Sequence, residues 1–131
     1  MVNIKQLFIA LLLSAVLLAG CSSAEESSGA ARAVQEYNQA LVEKDANRLS
    51  SLSCADWEAD AQNELASFGA VTTALNELTC TESGTDGEIT LVSCTGTITA
   101  NYGNEVLEID LSERTYQVVF EAGEWRMCGY R

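Results

Sequence analysis

The side chains able to do chemistry in this 131-residue chain are tyrosines, carboxylates, serines and cysteines, because the sequence contains no histidine. Histidine is the most common general acid or base in enzymes, so that role would fall to a carboxylate. Serine is frequent, but no serine lies in a G-x-S-x-G motif and no histidine is present to activate one. These patterns predict no catalytic residue, and we expect the chain not to be an enzyme.

Four cysteines, Cys54, Cys80, Cys94 and Cys128, follow Cys21, which stands alone near the N-terminus. An even number of cysteines in an exported chain predicts two disulfides, for which three pairings are open. Zinc is the alternative, but the sequence has no C-x-x-C pair and no histidine. A catalytic free thiol is disfavoured as well, because an oxidising compartment would oxidise it. We therefore expect two disulfides, no metal and no cofactor.

The first 20 residues have the layout of a secretory signal. Lys5 precedes an apolar run over residues 7–19, whose 13 residues are fewer than the roughly 20 that a bilayer-spanning helix needs. The run ends in LAGC at 18–21, which resembles the cleavage box of bacterial lipoproteins. The resemblance implies that the chain is cut before Cys21 and that this cysteine carries lipid, since several acyl chains hold a protein firmly at a membrane. An ordinary signal peptide with a nearby cysteine is the alternative.

Removal of residues 1–20 leaves 111 residues, enough for one domain with a modest core. This part has six basic and 19 acidic residues, a net charge of −13. Nucleic acid is excluded as a partner, because phosphate binding needs a clustered positive surface, and anionic lipid headgroups would repel the domain. The segment GTDGE at 84–88 lacks the alternating acidic ligands of a calcium loop. We divide the chain into a lipoprotein signal peptide (1–20), a lipidated flexible tether (21–30) and a folded domain (31–131).

Apolar side chains at three- and four-residue spacing predict two or three helices before residue 69. The first helix starts near Ala31 and is interrupted over residues 43–47, after which a short second helix resumes the pattern. Asp56 is expected to cap a third helix, and Gly69 to end it. The apolar faces consist of Val34, Tyr37, Leu41 and Val42, then Leu49 and Leu52, then Trp57, Ala61, Leu65 and Phe68.

The rest of the chain is rich in Thr, Val, Ile and aromatic residues and is divided by short turn sequences. These turns predict four antiparallel strands, over residues 73–82, 88–101, 105–120 and 124–130. The alternation in the third strand slips at LSER, 111–114, where a bulge would bend the sheet. Helices followed by strands predict an α+β fold, with the helices packed on one face of a curved four-stranded antiparallel sheet.

The predicted layout resembles the nuclear-transport-factor-2-like fold, which is found in SnoaL-type and steroid-isomerase enzymes and in small bacterial lipoproteins. The resemblance rests on AVQEYNQALVEKDANRLSSL at 33–52, a helix broken at Lys44–Asp45, and on YQVVFEAGEWRMCGY at 116–130, a hairpin whose last strand opens with Trp125. It implies a cone-shaped domain in which a bent sheet faces the first helix. The similarity is greatest to exported members with one cysteine after the second helix and another in the last strand.

The resemblance also implies a pairing of the cysteines, namely Cys54–Cys128 and Cys80–Cys94. The first pair would tie the helices to the sheet and, because it closes a long loop, contribute on the order of 4 kcal/mol. A turn centred near residues 85–86 places Cys80 opposite Leu91, so the second pair requires a bulge or a register shift.

In the enzyme relatives a tyrosine of the first helix donates a hydrogen bond to a developing oxyanion, and Tyr37 falls at the matching place. The partner carboxylates have no fixed counterpart: Asp56 and Asp60 are near the expected position of one, and Glu108 and Asp110 near that of the other. A core role for Tyr37 is the alternative to catalysis. The candidate pocket residues are Tyr37, Trp57 and Trp125.

These observations favour a membrane-anchored lipoprotein of the cell envelope, on the cell membrane or the outer membrane, facing the periplasm or the exterior. We expect its role to be that of a non-enzymatic ligand- or protein-binding module, and an isomerase or lyase that uses Tyr37 and a carboxylate is the alternative. The partners would be the membrane, through the lipid, and a protein or a second copy of the chain on the sheet face. Candidate contacts on that face are Ile98, Tyr102 and Val119.

Overall fold

Three helices precede five strands in the computed structural model, which describes residues 28–131. The helices are α1 (Gly29–Glu43), α2 (Ala46–Leu52) and α3 (Glu58–Ser67), and the strands are β1 (Thr72–Asp86), β2 (Ile89–Asn101), β3 (Val106–Asp110), β4 (Thr115–Glu121) and β5 (Glu124–Tyr130). This is the predicted α+β fold. The signal peptide, Cys21 and nearly all of the tether lie outside the described residues. Within residues 28–131, no helix has the length and apolar character needed to cross a bilayer.

The predicted break between the first two helices is a local backbone feature. Lys44 takes the left-handed conformation, with a φ of 58°, and ends α1. Asp45 then caps α2 by accepting a hydrogen bond from the Arg48 backbone N–H at 3.0 Å. The predicted cap of the third helix is wrong, because α3 begins one residue after Trp57, and no side chain caps it. Asp56 is exposed in the turn before it.

The sheet is antiparallel, in the order β1-β2-β4-β5, with β3 also paired to β2. The predicted third strand, 105–120, is therefore two strands. A 3₁₀ turn over Leu111–Glu113 separates them at the place where the alternation slips, so the chain turns there instead of forming a simple bulge. Leu111 is fully buried, and Asp110 accepts the Ser112 backbone N–H at 2.9 Å, which together hold the turn.

The β1–β2 hairpin turns at residues 87–88, since Asp86 pairs with Ile89. The predicted turn centre, two residues earlier, is wrong. A register shift between Glu82 and Gly84 then places Cys80 directly opposite Cys94, and the two form a disulfide with 4.1 Å between their Cα atoms. The bulge that this pairing required is thus present in β1.

The second disulfide joins Cys54, which follows α2, to Cys128 of β5, with 5.2 Å between Cα atoms. The same contact is reinforced by a hydrogen bond from the Cys54 N–H to the Met127 carbonyl at 2.8 Å and by a bridge between Ser53 and Met127. The helical layer is therefore fastened to one edge of the sheet. The core lies between this layer and the inner sheet face; its largest fully buried side chains are Tyr37, Tyr116, Leu41, Leu49, Ile98, Leu111 and Met127.

The proposed dimer contacts fall in three different environments. Ile98 is wrong as a surface contact, because it is fully buried beneath the helices. Val119 is half-buried, and Tyr102 is exposed. From residue 93 onward, the outer side of β2 carries Ser and Thr side chains instead of an apolar stripe (Ser93, Thr95, Thr97 and Thr99).

Candidate functional site

A carboxylate on α3 is the centre of the polar cluster inside the fold. Glu64 accepts hydrogen bonds from the Tyr37 hydroxyl at 2.9 Å, the Arg114 guanidinium at 3.0 Å and the Tyr130 hydroxyl at 3.2 Å. These donors come from α1, from the residue after the 3₁₀ turn and from β5. Every layer of the domain therefore contributes a donor to one acceptor.

Aromatic side chains surround this carboxylate. The Trp57 indole N–H donates to the Tyr37 oxygen at 3.0 Å, so Tyr37 both donates and accepts. The ring of Tyr130 lies edge-on to Trp57 and to Tyr116, with ring centroids 5.7 and 5.8 Å apart. The Arg114 guanidinium lies 4.1 Å from the centre of the Tyr130 ring, a favourable cation–π contact.

A second hydrogen-bonded chain extends the cluster into the core. The Tyr116 hydroxyl donates to the Asn38 side-chain oxygen at 3.3 Å, and the Asn38 amide donates to the Val34 carbonyl at 3.0 Å. Asn38 is fully buried, so these bonds satisfy a polar group that would otherwise be costly to desolvate.

The electrostatics keep the tyrosines neutral. Burial, and next the negative charge of Glu64, raises the pKa of Tyr37 far above its usual range. Burial also raises the pKa of Tyr116 and of Tyr130, although Arg114 opposes the shift in both. Only 11% of the Glu64 side chain and 18% of the Arg114 side chain are exposed, so this ion pair lies mostly away from water.

This arrangement has limited chemical capacity as it stands. Tyr37 could donate to an oxyanion, but its proton is directed at Glu64. Glu64 could act as a base, but both of its oxygens already accept hydrogen bonds, three in all and one of them from a guanidinium. The two groups satisfy each other, which is the behaviour of a structural network.

The structure brings Tyr37 and Trp57 of the candidate pocket together and places Trp125 elsewhere. Trp125 rests against Gly29 at the start of α1, so closely that a Cβ on this glycine would lie 2.5 Å from the indole. It packs edge-on against Phe120, with ring centroids 5.2 Å apart. These residues line a groove of about 230 Å³ between the start of α1 and the β4–β5 hairpin.

The acid next to Tyr37 is Glu64, which is not one of the four acids expected there from the sequence. Asp56 and Asp60 are exposed, Glu108 is exposed on β3, and Asp110 holds the 3₁₀ turn. A signal for Glu64 was available: it follows Trp57 by seven positions, which places an acid on the apolar face of the third helix. An acid at such a position needs a partner in the core.

Metal binding finds no support in the same part of the chain. Among residues 28–131, no group of three or more His, Cys, Asp or Glu side chains is arranged to hold an ion.

Comparison with solved structures shows a distant similarity. No family model matches the chain, and no curated protein matches its sequence. Among solved structures, the chain is similar to the helical cell shape determining protein Pgp2 from Campylobacter jejuni, with a TM-score of 0.49 and 11% sequence identity. The matched region covers 76% of this chain and 38% of that one. No inference about activity follows from a similarity of this extent.

Proposed function

We propose that this chain is a lipoprotein, anchored through Cys21, whose disulfide-bonded domain is a non-enzymatic binding module of the cell envelope. The domain would have a nuclear-transport-factor-2-like fold, in agreement with the helix break at Lys44–Asp45 and with helices on one face of an antiparallel sheet. The folded part would face the periplasm or the cell exterior.

The observation that carries the binding proposal is the mutual satisfaction of Tyr37 and Glu64. In a proton-transfer enzyme these would be the acid and the base. Each would then need a hydrogen-bond donor or acceptor site that is free and directed at the substrate. Here Tyr37 is fully buried, and Glu64 is bound by three donors. Binding at the surface therefore fits the geometry better than chemistry in the interior.

The two disulfides support the proposed location. They indicate an extracytoplasmic domain, because thiols of cytosolic proteins are kept reduced. Attachment through several acyl chains would hold such a domain at the surface in spite of its acidic charge.

Intact-mass analysis of the protein from its native membrane tests this location. We expect a chain that begins at Cys21, carries acyl groups there, and lacks four hydrogens because two disulfides have formed. A Cys21→Ser variant should lose the acyl mass and the membrane attachment. An uncut, unlipidated chain in the wild-type sample would contradict the anchor.

An isomerase or lyase of the steroid-isomerase or SnoaL type is the second candidate, favoured by the 2.9 Å hydrogen bond between Tyr37 and an acid. Titration with 4-nitrophenolate tests it, because donation to a bound oxyanion would change the absorption of this probe. The enzyme proposal predicts saturable binding that Tyr37→Phe abolishes and Tyr102→Phe preserves. The binding-module proposal predicts no saturable change in the absorption spectrum.

A further inference from the structure

The charges of the domain are segregated along the chain. Residues 49–113 contain twelve acidic side chains and no lysine or arginine. This segment includes β1, β2 and β3, so those strands carry no basic side chain. The described cations lie in or between the first two helices and after the 3₁₀ turn, and four of the arginines are already in ion pairs: Arg48, Arg114, Arg126 and Arg131.

Strand β3 is an exposed edge of this acidic region. Within residues 28–131 it pairs only with β2, so its other side presents backbone N–H and C=O groups without a strand partner. Val106 is 58% exposed and Leu107 46%, although they point to opposite faces of the sheet. With Tyr102, 49% exposed, they are three of the four large apolar side chains exposed in the described part of the chain.

We propose that the β3 edge binds an extended, cationic segment of a partner protein, which adds a strand to the sheet. Strand addition supplies main-chain hydrogen bonds, and alternating side chains give the specificity. This inference rests on the proposed binding function and names the partner chemistry of that function. Its footprint, the β3 edge, consists of Tyr102 and residues 105–110.

The register of β3 specifies the pattern of the partner. Glu108 and Asp110 pair with Thr99 and Thr97 on the outer sheet face, whereas Leu107 and Ile109 lie on the inner face. An added strand would therefore place cationic side chains beside the two acids and apolar side chains beside Leu107 and Ile109. The expected sequence alternates basic and apolar residues.

A second copy of the chain fits this edge poorly. Two β3 strands paired antiparallel about Glu108 would place this carboxylate against its own copy, and directly opposed like charges destabilise a sheet. The acidic residues that protect an edge against self-association are the ones that attract a basic strand.

The other edges of the sheet are less suited to a cationic strand. Ser53 and Cys54 cover the edge of β5 through the bridge and the hydrogen bond to Met127. Beside β1, a groove of about 280 Å³ is lined by Leu75 and Leu78 together with Arg32, the ion-paired Arg48 and one acid, Glu36, so that edge has cations of its own. Charge complementarity thus selects β3.

Fluorescence anisotropy with a labelled KVKVKVKVK peptide tests the inference on the full-length lipoprotein in phosphatidylcholine vesicles. The matched control is the same peptide with alternate backbone nitrogens methylated, which keeps the charge but prevents strand pairing. We expect the unmodified peptide to bind at least tenfold more tightly than the methylated one. Equal affinity of the two peptides, or no binding of either, would overturn strand addition.

Charge variants then locate the site. Glu105→Lys/Glu108→Lys should weaken peptide binding at least tenfold, whereas Glu82→Lys/Glu88→Lys, with the same change in charge at the far end of the β1–β2 hairpin, should weaken it less than threefold. An equal loss of peptide affinity in both variants would overturn the assignment of the site to β3. The proposal would also be overturned if the wild-type protein were a dimer that the Glu105→Lys/Glu108→Lys substitutions dissociate, because a second copy would then occupy this edge. The mass and nitrophenolate results are independent of this outcome, so failure of the inference is distinguishable from failure of the proposed function.

Discussion

Strand β2 runs through two contrasting surroundings. Its residues 90–93 pair with β4. On the far side of β4 lie β5, the Cys54–Cys128 disulfide and the polar cluster around Glu64. We call this part of the molecule the covered half. Its residues 97–101 pair with β3, whose far edge has no strand partner in the described part of the chain; we call this the open half. In the covered half polar groups satisfy one another inside the fold, whereas in the open half backbone groups and acids face outward. Under the proposal made above, stability and recognition depend on opposite ends of one strand.

Loss of the Cys54–Cys128 disulfide should cause the largest effect. The pair closes a loop with a sequence separation of 74, so Cys54→Ala/Cys128→Ala should lower the free energy of unfolding by about 4 kcal/mol. The control is Cys80→Ala/Cys94→Ala, whose shorter loop predicts about 3 kcal/mol. Urea denaturation monitored by tryptophan fluorescence gives both values. A smaller loss of unfolding free energy for the first variant than for the second would contradict the larger contribution of the Cys54–Cys128 disulfide.

Removal of the central carboxylate should come next. Glu64→Ala leaves Arg114 and two tyrosine hydroxyls without their acceptor in a mostly buried site, which should cost about 3 kcal/mol. Glu108→Ala is the same substitution in the open half and should change the stability by less than about 0.5 kcal/mol. If Glu64→Ala and Glu108→Ala lowered the melting temperature equally, the covered half would not be the main source of stability.

The Tyr37 hydroxyl should make the stability of the covered half sensitive to alkaline pH. Because folding raises the pKa of Tyr37, its contribution is fully present below the unfolded value of about 10 and is lost as the pH rises above it. Tyr37→Phe should cost about 2 kcal/mol at pH 7, since a hydrogen bond to a charged group is lost, and should reduce the loss of stability above pH 10. Exposed Tyr102→Phe should reproduce the wild-type pH profile. Parallel profiles for wild type and Tyr37→Phe would contradict the burial of this hydroxyl.

The smallest effect on stability should come from the open half. Leu107→Ser removes an apolar side chain that is already 46% exposed, so loss of its buried part should lower the unfolding free energy by only about 1 kcal/mol. The same variant should lower the affinity for the KVKVKVKVK peptide about fivefold in the anisotropy assay. A stability loss above 2 kcal/mol would place Leu107 in the core instead.

The architecture could be predicted because it depends on local patterns. Helical spacing up to Phe68 and turn sequences after it give the α+β fold, and the break at Lys44–Asp45 is visible as an interruption of the apolar face. Boundaries were less certain because tertiary contacts set them. Burial of Leu111 turns one predicted strand into two, and a bulge after Glu82 moves the β1–β2 register.

The polar cluster was only partly predictable. Tyr37 and Trp57 lie on predicted helix faces, but Glu64, Arg114 and Tyr130 come from three separate elements. Their meeting depends on how α3 lies over the sheet, which no spacing in a single sequence specifies. Trp125 was selected for its place early in the last strand, and the structure places it beside Gly29 at the start of the first helix, away from the Glu64 carboxylate.

Amide hydrogen exchange of the full-length lipoprotein in phosphatidylcholine vesicles, with and without the KVKVKVKVK peptide, tests most directly whether recognition occurs at the open half. We predict that the amides of α1, β4 and β5 are protected in the free protein and do not change, while the amides of residues 106–110 that point away from β2 exchange rapidly and become protected only when the peptide is present. Protection that instead increases around Tyr37 and Glu64, with residues 106–110 unchanged, would contradict the account.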